Sequence, residues 1–133
     1  MSKTMSSAKK QISTDLAPSA IGPYSQAIEV GGFLFASGQI PITPETGNIE
    51  SDDIAEQTHR VMKNIEAVLK ECGCDFDAVV KTTVFLTDLN DFAAVNKIYG
   101  EYFSKPYPAR SCVQVAALPK GAKIEAEMIA KVK

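Results

Sequence analysis

Arg110 sits at the mouth of an otherwise apolar stretch, Tyr107-Pro108-Ala109-Arg110-Ser111-Cys112-Val113-Gln114-Val115. A guanidinium does not lose its proton in a protein, and burying it without a partner is costly. Its planar fork suits the two oxygens of a carboxylate, from the protein itself or from a ligand. A second stretch, Ile124-Glu125-Ala126-Glu127-Met128-Ile129, carries acids at alternating positions. On a strand Glu125 and Glu127 share one face. They are either a solvated strand face or a carboxylate available to orient water and move a proton.

Other residue types in the chain invite chemistry. Phe92, Asn96, Tyr99 and Phe103 fall at i, i+4, i+7 and i+11, so an amide interrupts an aromatic stripe on a helix. An amide in that place needs hydrogen-bond partners, structural or from a ligand. Cys112 has no evident base beside it, and the sole histidine, His59, reads as a residue on the surface of a helix. Cys72-Gly73-Cys74 puts two thiols at a helix end without a second pair, a weak metal signal. No metal is expected.

These residues need strands and helices to place them. Residues 10–14 form a short candidate strand. Segments 26–30 and 33–37 flank Gly31-Gly32, a strong hairpin signal. A loop rich in Pro, Thr and Gly spans 41–48. Apolar spacing predicts a helix over 52–72, capped by Ser51 or Asp53 and ended by Gly73. A Val/Thr/Phe-rich strand is predicted over 78–86, a second helix over 90–103, and strands over 109–116 and 123–132. The order β-β-β-α-β-α-β-β favours an α+β fold, a mixed sheet with two helices packed on one face.

With 133 residues the chain is long enough for one well-packed domain, 10–133, behind a loose polar tail, 1–9. A net charge of −2 gives no footprint for nucleic acid or an anionic membrane. No apolar run approaches the roughly 20 residues that span a bilayer. Three cysteines without an export signal point to reduced thiols in the cytoplasm.

Several separated blocks occur together and in order: Gly22-Pro23-Tyr24-Ser25-Gln26-Ala27, Ser37-Gly38-Gln39-Ile40-Pro41, Asn90-Asp91-Phe92 with Asn96, Pro108-Ala109-Arg110-Ser111, and Leu118-Pro119-Lys120-Gly121 leading to Ile124-Glu125. In these the chain resembles the RidA family, also called the YjgF family, over nearly everything from Lys10 onward. The resemblance implies a chorismate-mutase-like fold, a homotrimer, and ligand sites in clefts between subunits. It implies hydrolysis of reactive enamines and imines, such as 2-aminoacrylate and small 2-imino acids, to 2-keto acids and ammonia. No cofactor is implied. Ala126 departs from the larger aliphatic residue that relatives often carry after the acid.

Carried over residue by residue, the resemblance makes Arg110 the anchor of the substrate carboxylate and Glu125 the acid that works on water. Tyr24, Ser37, Gly38, Phe92 and Asn96 would line the pocket. Cys112 would contribute its backbone amide, with its thiol a wall at most. If the turn at Pro119-Lys120 pairs the last two strands as a hairpin, Gln114 faces Glu125 and Arg110 lies roughly 13 Å further along. The acid beside Arg110 must then come from a neighbouring subunit. Two other readings stay open: a noncatalytic pocket for keto acids or related metabolites, and a ribonuclease that inhibits translation. The last lacks a basic patch, aromatic-basic interleaving and a histidine pair.

Overall fold

A computed structural model describes residues 8–132. Most of the expected tail, residues 1–7, lies outside the described residues. Eight strands and two helices follow one another: β1 (Lys10–Ile12), β2 (Ala27–Val30), β3 (Phe33–Gln39), β4 (Ile42–Thr43), β5 (Asn48–Ile49), α1 (Ile54–Glu71), β6 (Val79–Leu86), α2 (Phe92–Tyr102), β7 (Ala109–Gln114) and β8 (Ile124–Lys131). Six of the strands make one sheet in the order β1-β2-β3-β8-β6-β7. All neighbours are antiparallel except β6 and β7, which are joined through α2 as a parallel pair. The small β4–β5 hairpin falls on the stretch expected to be loop and extends one residue past it.

Two-residue periodicity sorts the sheet into a covered and an open face. On β8, Ile124, Ala126, Met128 and Ala130 are buried, and on β6 so are Thr82, Val84 and Leu86. They pack with Leu34 against Val61, Ile65, Val68 and Leu69 of α1 and Val95 and Tyr99 of α2. At about 25 cal/mol per Å² of apolar surface, this layer is the main source of stability. Ala126 fits here, where the core approaches the strand. On the other face Phe33, Phe35 and Val113 remain exposed.

Helix α1 starts where expected: the Asp53 carboxylate accepts from the Glu56 amide at 3.0 Å. It ends on Gly73, whose φ of +71° reverses the chain. There the amides of Gly73 and Cys74 bond to the Lys70 and Leu69 carbonyls. Cys72 and Cys74 thus close a helix. Burial, with Glu29 nearby, pushes the Cys72 thiol up to about 11. His59 differs from its expected surface place: it is half-buried, and its Nδ1 meets the Tyr102 hydroxyl at 2.7 Å, tying α1 to α2.

One expectation about register is overturned. The last two strands do not pair with each other: β6 lies between them. Gln114 sits opposite Leu86, and Glu125 opposite Phe85. The turn at Pro119–Gly121 is therefore no hairpin loop. It carries the chain across the end of β6, with Lys120 at φ +58°. A parallel pair at the sheet's edge, connected through a helix, leaves β8 to enter on the far side of β6, an arrangement invisible to local turn chemistry.

Candidate active site

Arg110 and Glu125 occupy opposite faces of the sheet. Arg110 is directly across from Thr82, whose side chain is buried under α2. Residues directly opposite on neighbouring strands point to the same side. Arg110 therefore faces α2, and its guanidinium lies over the rings of Tyr99 and Phe92, at 4.8 and 5.4 Å from their centroids. Glu125 lies between buried Ile124 and Ala126 and opposite Phe85, so it points to the open face.

Each group has its own cavity. On the α2 side a cleft of about 420 Å³ is lined by Asn96, Tyr99, Gly100, Tyr107, Pro108 and Arg110. Nη1 of Arg110 donates to Asn96 Oδ1 at 2.8 Å. Among the described residues the guanidinium is held by an amide and two rings, all neutral, so its charge remains available to an anion. Asn96 is exposed, not buried as an amide inside an aromatic stripe suggests, because the stripe turns outward at the edge strand β7. Cys112 lies two residues on, on the same side. Burial pushes its thiol up against the opposing pull of Arg110, which disfavours a thiolate nucleophile.

The second cavity, about 390 Å³, is walled by Tyr24, Ser37, Gly38, Gln39, Ile40 and Glu125, together with the 18–21 segment and Lys120. Tyr24 is half-exposed at its rim. The Ser37 hydroxyl donates to the Ser25 carbonyl at 2.6 Å, so it braces the loop as well as facing the space. Gly38 adjoins a register shift between β3 and β8, and a Cβ there would overlap the Glu125 carboxylate. Burial, then the charge of Glu127, raises the Glu125 carboxyl above its ordinary 4.5. An acid so placed keeps its proton closer to neutrality, which suits proton transfer.

The sequence-predicted residues thus form two groups within one chain: Tyr24, Ser37, Gly38 and Glu125 on one side, Arg110, Asn96 and Phe92 with Cys112 on the other. Two supporting residues were missed. The buried Gln26 amide donates to the carbonyls of Thr14, Ala17 and Pro18, and its Oε1 accepts from the Thr14 amide at 2.7 Å. That bonding shapes the loop wall of the cavity. Asn64, fully buried on α1, holds the carbonyls of Ile40 and Ile42 at 3.2 and 3.0 Å. The signal available in sequence was a polar residue bordering an apolar strand, or on the inner face of a helix.

Residues 14–132 match the family model described as Endoribonuclease L-PSP. The chain belongs to this family, the RidA family. This RidA-family chain is 58% identical over 123 residues to a RutC family protein of Pyrococcus abyssi, covering 92% of the chain and 97% of that relative. It is 52% identical over 122 residues to the human protein named 2-iminobutanoate/2-iminopropanoate deaminase, covering 92% and 89%. Among solved structures, the Rid-family protein YyfA of Yersinia pestis superposes with a TM-score of 0.92 at 56% identity, covering 94% and 100%. E. coli TdcF, solved with bound serine, gives 0.88 at 46% identity, covering 93% and 99%. The RidA-family fold and the two-helix, one-sheet architecture agree with the expectation from sequence.

Proposed function

We propose that the protein hydrolyses 2-imino acids and their enamine tautomers to 2-keto acids and ammonia, in a homotrimer whose clefts each join Arg110 of one copy to Glu125 of the next. The observation that carries the shared cleft is the placement of these groups on opposite faces of one sheet. The relatives named as 2-iminobutanoate/2-iminopropanoate deaminases and as Reactive Intermediate Deaminase A support the chemistry. Exposed Phe33, Phe35 and Val113 on the open face supply apolar surface for association.

The chemistry balances without a redox partner. Arg110 holds the substrate carboxylate with the donors that Asn96 leaves free, between the Phe92 and Tyr99 rings. Glu125 positions water against the imine carbon and takes one of its protons. A C–O bond forms as the C=N π pair moves to nitrogen, which takes the proton that Glu125 has removed from water. The carbinolamine then collapses: Glu125 moves the hydroxyl proton to nitrogen, the C–N bond breaks, ammonia leaves, and the new carbonyl oxygen is that of water. Tyr24, Ser37 and the Gly38 backbone close the cleft, and Cys112 contributes backbone. The three free thiols suit the reducing cytoplasm, where we place the activity.

The test mixes two inactive variants. In trimers of Arg110→Ala and Glu125→Gln subunits combined equally, about one cleft in four receives both native groups by cyclic symmetry. Clearance of 2-iminopropanoate, released by a serine dehydratase, should recover toward that fraction. Verified mixed trimers without any recovery would place both groups in one chain's site. A protein that binds 2-keto acids but never speeds imine loss would be a metabolite-binding protein, and cleavage of RNA abolished by Arg110→Ala would favour a nuclease.

A further inference from the structure

Thr82 is a hydroxyl in the wrong company. It lies in the core on β6, 2% exposed, on the strand face that carries Val84 and Leu86 and opposite Met128 of β8. Its Oγ1 meets the Tyr99 hydroxyl at 2.7 Å. Tyr99 is itself 8% exposed, its ring 4.5 Å from that of Phe103. The other face of the arrangement is Arg110, whose guanidinium lies over the Tyr99 ring. Thr82 is also the residue directly opposite Arg110 in the β6–β7 ladder. The contacts therefore close on themselves: Arg110 backbone beside Thr82, Thr82 hydroxyl to Tyr99 hydroxyl, Tyr99 ring to Arg110 guanidinium.

We propose that Tyr99, held by Thr82, is the positioning residue that fixes the plane of the Arg110 guanidinium for carboxylate binding. The inference rests on the deaminase reading and adds to it a residue outside the cleft's polar contacts. Arginine has several rotatable bonds, and an exposed one samples many orientations. Bidentate recognition of a carboxylate needs one of them. A ring at 4.8 Å restricts the plane, Asn96 fixes one nitrogen, and Phe92 bounds the outer side. A freely turning Tyr99 would not serve. The bond to Thr82 pins the phenol end, and Phe103 pins the ring edge. The hydroxyl pair also satisfies both oxygens where water is excluded. Burial raises the Tyr99 phenol, so it stays neutral and adds no charge beneath the guanidinium.

The experiment compares Tyr99→Leu, Tyr99→Phe and Thr82→Val in imine clearance and in calorimetric binding of pyruvate as the probe. Tyr99→Leu should raise KM and the pyruvate Kd about tenfold while kcat stays within about threefold, the signature of lost binding common to ground and transition states. Tyr99→Phe keeps the ring but loses the bond to Thr82, and should raise KM and the pyruvate Kd by an intermediate amount, about three- to fivefold. Thr82→Val, nearly isosteric, removes the same bond and should show a similar rise. On an Arg110→Ala background, Tyr99→Leu should change neither constant further, which a merely structural role would not achieve. Native binding by Tyr99→Leu, or an equal loss with and without Arg110, overturns the inference. If Tyr99→Leu does not fold, native pyruvate binding by Thr82→Val overturns it. A native protein that binds pyruvate with the expected Tyr99 dependence but hydrolyses no imine would instead sink the deaminase reading alone.

Discussion

The carboxylate of Glu125 fills the space in which a side chain on residue 38 would begin. Gly38 does not appear among the glycines with positive φ, so its smallness answers a need for room rather than for an unusual backbone. Gly38→Ala should force the flexible end of the Glu125 side chain aside, at little cost in stability but with the carboxylate displaced. Steady-state imine hydrolysis should fall by two orders of magnitude or so while the protein remains folded by circular dichroism. Native turnover in Gly38→Ala would mean the carboxylate's position is unimportant.

Arg110 is expected to answer to its geometry and not to its charge alone. Truncating one side of a desolvated charge pair costs about 2–5 kcal/mol, so Arg110→Ala should lower kcat/KM by about 30-fold or more. Arg110→Lys should restore little, because an ammonium cannot span two carboxylate oxygens in the plane set by Tyr99 and Asn96. Kinetics on folded variants, checked by thermal melting, decides it. Full recovery in Arg110→Lys would reduce the residue to a point charge.

Glu125 should leave a mark on stability that runs opposite to that of most acids. Its raised carboxyl means the folded chain keeps a proton that the unfolded chain releases. Stability is then present at low pH and lost as pH rises through the folded value. The clean background is Arg110→Ala, where no guanidinium from a neighbour can reverse the shift. There, adding Glu125→Gln should raise the melting temperature at neutral pH. The gain should shrink toward zero as pH falls to about 4. A gain that grows on acidification would contradict the burial argument. In the otherwise native protein, the same Glu125→Gln change should slow catalysed imine hydrolysis about a hundredfold while 2-keto acid binding is kept.

Cys112 offers the sharpest contrast between a covalent and a hydrolytic route. Its thiol is held protonated, and its expected contribution is backbone. Cys112→Ala and Cys112→Ser should keep substantial activity, with stability changed by about 1 kcal/mol for a half-buried side chain. Loss of all activity in a well-folded Cys112→Ala, with a mass adduct on the native thiol, would establish a nucleophile instead.

Local chemistry made much of this legible. The Asp53 cap, the Gly73 stop, the Gly31-Gly32 hairpin and the alternation of β8 all follow from neighbours in sequence, and each is present. The pairing of β8 was not, because it depends on which distant strand reaches the centre first. A turn at Pro119–Gly121 serves a hairpin or a crossing equally well. The separation of Arg110 from Glu125 was anticipated, but for the wrong reason: distance along an assumed hairpin, where the decisive fact is that they face opposite ways. Gln26, Thr82 and Asn64 were overlooked for a shared reason. A buried polar side chain with every bond satisfied resembles an exposed one until its partners, 8 to 24 residues away, are known.

The central place of β8 also bears on how the chain becomes itself. Strands β1 to β3 can pair as they emerge, and β6, α2 and β7 form a second local unit. Helix α1 packs on both, but no strand pairing joins them until residues 124–131 arrive, since β8 bonds to β3 on one side and β6 on the other. During synthesis the nascent chain therefore carries two unsealed sheet edges, each flanking apolar surface, until β8 is made. Pairings of such long sequence separation form late and slowly. Loss of β8 would leave two halves with a seam open to other chains, so this one strand decides whether the strands on either side of it fold or aggregate.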